Sequence, residues 1–100
     1  MQVYLYDVFK IYKILKTIEQ NPGITTNKLI SNLRYGRGST IWHLNRLHEL
    51  GYIGRLEDDN TNVPYYYKKP KIHILTPKGK EFLKDLEKII PAIEEIMGLS

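Results

Sequence analysis

Apolar positions recur at helical spacing in the first fifth of the chain. Val8, Ile11, Tyr12, Leu15 and Ile18 fall on one face, Tyr4, Leu5, Phe9 and Ile14 broaden it, and Asp7 is placed to cap a helix running to about Gln20. Asn21-Pro22-Gly23 ends that helix, and Ile24 gives a short extended step. Thr25 or Thr26 then caps a second helix, roughly 27–33, with Leu29, Ile30 and Leu33 inward. After the glycine-rich turn 34–38, Ser39 is expected to cap a third helix reaching about Leu50. Thr40, Leu44 and Leu47 form its inner face, and Gly51 ends it. The period changes at Tyr52: residues 52–57 read as a strand, 58–64 as a polar turn and 65–75 as a returning strand interrupted by Pro70. Thr76-Pro77 opens a fourth helix that runs to about Met97, with Gly98 after it.

The fourth helix has the most regular pattern. Phe82, Leu86, Ile89, Ile93 and Ile96 follow a 4-3-4-3 spacing, a heptad seam, and Leu83, Ile90 and Met97 add an apolar residue beside it. Pro91 falls on the side away from the seam. The first and fourth helices carry more apolar surface than one small core can cover. The seam, with Phe82, Leu86, Ile89, Ile90, Ile93, Ile96 and Met97, is therefore expected to bind a second copy. An intramolecular helix lying on the first one is the alternative.

One hundred residues suit a single domain, and 42% apolar with 26% charged residues excludes disorder as the main state. Cysteine is absent, which removes disulfides and thiolate metal sites. No apolar run spans a membrane, the first residues do not read as a secretory signal, and a cytoplasmic home is expected. The net charge of +4 is unevenly spread: +2 over residues 1–33, +5 over 34–80 and −3 over 81–100. A polyanion held against the middle of the chain gives that distribution a purpose.

Two short helices, a tight turn and a two-stranded ribbon are the layout of a winged helix-turn-helix, a mainly α fold with a small β-wing (α+β). Thr26 to Leu33 looks like the first helix of the motif, and Ser39 to Ile53 like the recognition helix and its exit. The L-x-x-L-x-x-x-G-Y-I run over Leu44 to Ile53 and the L-T-P-K-G junction at Leu75 to Gly79 resemble transcriptional regulators of the PadR and MarR type, over roughly residues 10–85. The resemblance implies one domain over residues 1–100. Its helix-turn-helix occupies about 25–50, its wing about 52–75, and its C-terminal dimerisation helix about 77–97. High Ile, Lys and Tyr content without Cys suits an archaeal or other thermophilic source, or its virus.

An α-helix that reads the major groove needs one packed face and one free face. On the third helix the free side offers Ser39, Ile41, Trp42, Asn45 and Arg46 as base contacts. Arg46 suits guanine, Asn45 suits adenine, and Ile41 or Trp42 can meet a thymine methyl. Candidate backbone contacts are Thr26, Arg34, Arg37, Arg55, Lys68, Lys69 and Lys71, together with the amides that open the third helix. Asp58 and Asp59 at the wing tip repel phosphate and argue against deep minor-groove insertion there. Tyr65, Tyr66 and Tyr67 read as a strand face more readily than as a stacking platform for single strands.

His43 and His48 lie five apart, off a common helical face, and no acid completes a metal set. No nucleophile has a base in sequence context. The expected function is therefore a non-enzymatic, cofactor-free homodimer that binds an inverted repeat in double-stranded DNA and represses transcription. The residues leave open a winged-helix module whose free face binds protein, and they name no small-molecule effector.

Overall fold

The computed structural model describes residues 5–57 and 69–98. The chain runs α1 (Leu5–Gln20), β1 (Ile24–Thr25), α2 (Thr26–Leu33), α3 (Arg37–Glu49), β2 (Ile53–Glu57), β3 (Lys71–Leu75) and α4 (Pro77–Ile96). The three strands form an antiparallel sheet in the order β1-β3-β2. The extended step at Ile24 is thus a true strand, pairing Ile24 with His73, and it adds a third member to the expected two-stranded ribbon.

Several element boundaries differ from expectation. Leu5 and Tyr6 are already helical, so Asp7 lies inside α1 rather than at its cap. Ser39 is not the cap of α3. Gly36, at φ +90°, turns the chain there, and α3 starts at Arg37 with no side chain on its cap. The strand β3 begins only after Pro70, at Lys71, because proline has no N–H for the ladder. Asp58, Asp59, the three tyrosines and Lys68 lie outside the described residues.

The core joins every layer. Ile14, Leu15 and Ile18 of α1, Leu29 of α2, Leu44 and Leu47 of α3, Ile53 of β2, and Leu83 and Leu86 of α4 are buried together. Each such side chain contributes about 1.5–3 kcal/mol by leaving water. The inner face of α3 is as its period requires: Thr40, Leu44 and Leu47 are buried, and His43 joins them.

The helix α4 is bolted to the end of α3. Thr76 caps α4 by accepting from the Gly79 amide at 3.0 Å, and its hydroxyl donates to the Gly51 carbonyl at 2.6 Å. Lys78 Nζ donates to the Leu50 carbonyl at 2.7 Å and lies 4.7 Å over the Tyr52 ring, which stacks on Phe82. Farther along, Lys16 of α1 bridges to Glu87 of α4 at 3.0 Å.

The seam expected to hold a partner is divided by this packing. Leu86 and Ile90 are buried within the chain beside Leu83, and Phe82 is taken up by Tyr52. Those three make contacts within the chain's own fold. Ile89 and Ile96 remain exposed, and Ile93 and Met97 half-buried. Among the described residues no helix is long and apolar enough to cross a membrane.

Candidate nucleic-acid interface

The side of α3 opposite the core is open. Trp42 is 51% exposed, and Asn45, Arg46 and Glu49 are exposed around it, lining a shallow depression of ≈ 320 Å³. Three of the five candidate base contacts, Trp42, Asn45 and Arg46, therefore share one free face. Ser39 and Ile41 are half-buried at its edge, and Lys10 of α1 reaches Ser39 Oγ at 3.5 Å. Arg46 has a partner that the sequence reading missed: Glu49 Oε2 at 3.4 Å, one turn on. Both side chains are about half exposed, so the pair contributes little and is easily exchanged for another partner.

The approach to α3 is basic and uncapped. Arg34, in the left-handed region at φ 57°, closes α2, and Arg37 opens α3 while donating to Asn27 Oδ1 at 3.2 Å. Both are exposed. With glycine as the cap, no side chain covers the amides of the first turn of α3.

The remaining backbone candidates are less free. Thr26 Oγ1 lies 2.8 Å from Nε2 of the buried His73, so its hydroxyl already has a partner within the fold. Lys71 is paired across the strands with Glu57 at 3.0 Å. Lys69 is half-buried. Arg55 projects from β2 on the same side of the sheet as its cross-strand neighbour His73, and its Nη1 donates to Asn45 Oδ1 at 2.8 Å.

Two histidines hold the motif from beneath. His43 Nδ1 donates to the Ser39 carbonyl at 2.8 Å, and its Nε2 faces Asp7 of α1 at 3.6 Å. His73 is 1% exposed, and its Nδ1 has no partner. Burial first, and then the positive charges of Arg55 and His48, push its pKa down to about 4. The unfolded chain takes up this proton near pH 6.5 and the folded chain near 4. The stability that depends on a neutral His73 is therefore complete above the upper value and is lost as pH falls toward the lower. Melting curves across that window should show a steeper fall in Tm for the wild type than for His73→Gln. Parallel curves would mean that His73 does not carry this acid sensitivity.

The signal for the α3 face was its helical period. The links between elements, Arg55 to Asn45 and Thr26 to His73, depend on strand register and have no signature in the sequence.

Residues 10–54 match the family model described as winged helix-turn-helix DNA-binding. The fold is that of MarR-type regulators. The transcriptional regulator SlyA is 28% identical, with a TM-score of 0.69 over 90% of this chain and 61% of that one. A MarR transcriptional regulator from Methanosarcina mazei Go1 is 25% identical, with a TM-score of 0.68 over 87% of this chain and 53% of its own. FabT from Streptococcus pneumoniae, solved in complex with DNA, is 22% identical, with a TM-score of 0.66 over 88% of this chain and 57% of its own. The chain thus spans between half and two thirds of the length of these structures. None of the curated proteins matches it in sequence.

Proposed function

We propose that this winged helix-turn-helix protein binds double-stranded DNA through the free face of α3 and regulates transcription. The observation that carries this reading is the two-sided character of α3. Thr40, Leu44 and Leu47 anchor it, while Trp42, Asn45 and Arg46 stand exposed on the opposite side, at the end of an uncapped, basic approach. The structural likeness to FabT, which was solved with DNA, supports the same reading. The finer form is a homodimer joined through α4. Its two α3 helices would enter successive major grooves ~34 Å apart, on an inverted repeat of about ten base pairs centre to centre. Repression follows from occupying a promoter. No catalytic step or cofactor enters this function.

Selection of bound duplexes from a random pool tests the reading directly. An enriched, two-fold symmetric sequence is the expected result. Binding should weaken steeply with salt, the slope falling by about 0.9 for each phosphate neutralised. In Arg46→Ala, affinity for the selected site should drop by about 1–3 kcal/mol, with relaxed preference at one base pair and binding to unrelated duplexes little changed. If Arg46→Ala binds every duplex as the wild type does, α3 is not the reading element.

Glu49, an acid on the free face beside the half-exposed Trp42, favours one other reading: a face that binds protein. No enriched duplex, and no salt dependence of association, would select it.

A further inference from the structure

We infer that Arg55 is a positioning residue for base readout: it holds Asn45 Oδ1, so the Asn45 amide nitrogen faces the duplex and selects guanine or thymine rather than adenine. The inference rests on the DNA-binding reading above and names what one position of the interface recognises.

The geometry is simple. Arg55 Nη1 donates to Asn45 Oδ1 at 2.8 Å, joining the wing strand β2 to the exposed side of α3. A guanidinium has donors only, so the oxygen, not the nitrogen, of the carboxamide must face it. The planar amide then directs Nδ2 away from Arg55. Adenine is read by an asparagine that accepts from N6 and donates to N7 at once. Any N6 amino group approaching Oδ1 here would meet a cation already bound to that oxygen. What stays available is a donor, which matches O6 and N7 of guanine or O4 of thymine.

Arg55 is suited to this role by its setting. It is half-buried, and its stem leaves β2 opposite the neutral, buried His73. That fixes the base of the side chain and lowers the entropy lost in holding Asn45. The clustering of cations in the sequence makes Arg55 a candidate backbone contact. The two roles make opposite predictions, because a phosphate contact contributes to every duplex equally and a positioning residue acts at one base pair.

The test uses the full chain and the duplex obtained by selection, with every single-base variant of that site as competitors. Wild type should prefer guanine or thymine at one position of each half-site by at least about fivefold. Asn45→Ala should erase that preference. Arg55→Met, which keeps an apolar stem of similar length, should free the carboxamide and admit adenine at the same position, and leave the salt slope unchanged. Asn45→Asp should move the preference to cytosine, whose N4 donor suits a carboxylate. That variant sits on the exposed side of α3 and tests the contact made by Asn45 itself; if Arg55→Met does not fold, the wild type's choice of guanine or thymine over adenine decides, because a carboxamide not held by Arg55 would take adenine. An even loss of affinity across all duplexes in Arg55→Met, with a salt slope lower by about 0.9, overturns the inference in favour of a phosphate contact. So does an Asn45→Asp variant whose base preferences are those of the wild type. Failure to enrich any duplex would instead remove the DNA-binding reading itself.

Discussion

A Gly79→Ala variant is expected to lose about 3 kcal/mol or more of stability, a large part of what a small domain has. Helix propensity alone predicts the opposite, since Gly79 lies within α4 and alanine is the better helix former by about 1 kcal/mol. Packing decides. A Cβ at Gly79 would stand directly on the carbonyl oxygen of Tyr52, with the carbonyl carbon behind it at 3.0 Å. The obstacle is backbone, so no rotamer change relieves it. That backbone is also pinned: the Tyr52 carbonyl accepts from the Thr76 amide at 3.2 Å, and the Tyr52 amide donates to Leu47 at 2.9 Å. Moving α4 outward would break the Thr76, Lys78 and Phe82 contacts that attach it to the end of α3. Thermal melts should show Tm lower by at least about 12 °C. Gly38→Ala is the matched control. Its new Cβ meets nothing within 4 Å, and it should be neutral or stabilise by up to about 1 kcal/mol. If both variants melt like the wild type, α4 does not cross Tyr52 as closely as described.

This contact also explains the glycine of the L-T-P-K-G junction. The start of α4 was legible because Thr76 and Pro77 act locally, through a cap and a fixed φ. Gly51, at φ +84°, was legible for the same reason. The third helix shows where local chemistry misleads. Ser39 has the side chain of a cap, but Gly36 supplies a positive-φ turn immediately ahead of Arg37, and the helix forms as soon as the turn allows. On α4 the sequence offers two overlapping apolar stripes. Only the packing of α1 and Tyr52 settles that Leu83, Leu86 and Ile90 go inside while Ile89 and Ile96 stay out. For the candidate site, period was enough to place Trp42, Asn45 and Arg46 on a free face. Whether a cation on that face is free or engaged was not legible. Arg55 meets Asn45, and Lys71 meets Glu57, through strand pairing between residues far apart in the chain.

Substituting glutamate for both Ile89 and Ile96 is expected to cost the protein about 10²–10⁴-fold in affinity for its duplex while leaving its fold intact. Ile89 is 48% exposed and Ile96 78% exposed, so neither supports the core, and the stability of the single protomer should change by no more than about 0.5 kcal/mol. What they offer is an apolar strip, continued by the half-buried Ile93 and Met97, on a helix whose opposite stripe is already used. In a two-fold pair each substitution acts twice, placing four carboxylates in one apolar contact. A dimer holds two α3 helices on one duplex, and the second binds at high effective concentration. A monomer loses that advantage without losing any contact of its own. Charge gives the test a second handle. Residues 81–100 carry a net −3, so this C-terminal stretch repels a second copy of itself brought against it. Added salt screens this and should tighten the dimer, while the same salt loosens the contacts of α3 and its basic approach with phosphate. Sedimentation at several salt concentrations, beside duplex binding in the same buffers, should therefore show opposite trends in the wild type and a monomer throughout in the double variant. A wild type that sediments at 11.8 kDa at micromolar concentration in every buffer would remove α4 as a dimer interface and leave a single α3 to read the duplex.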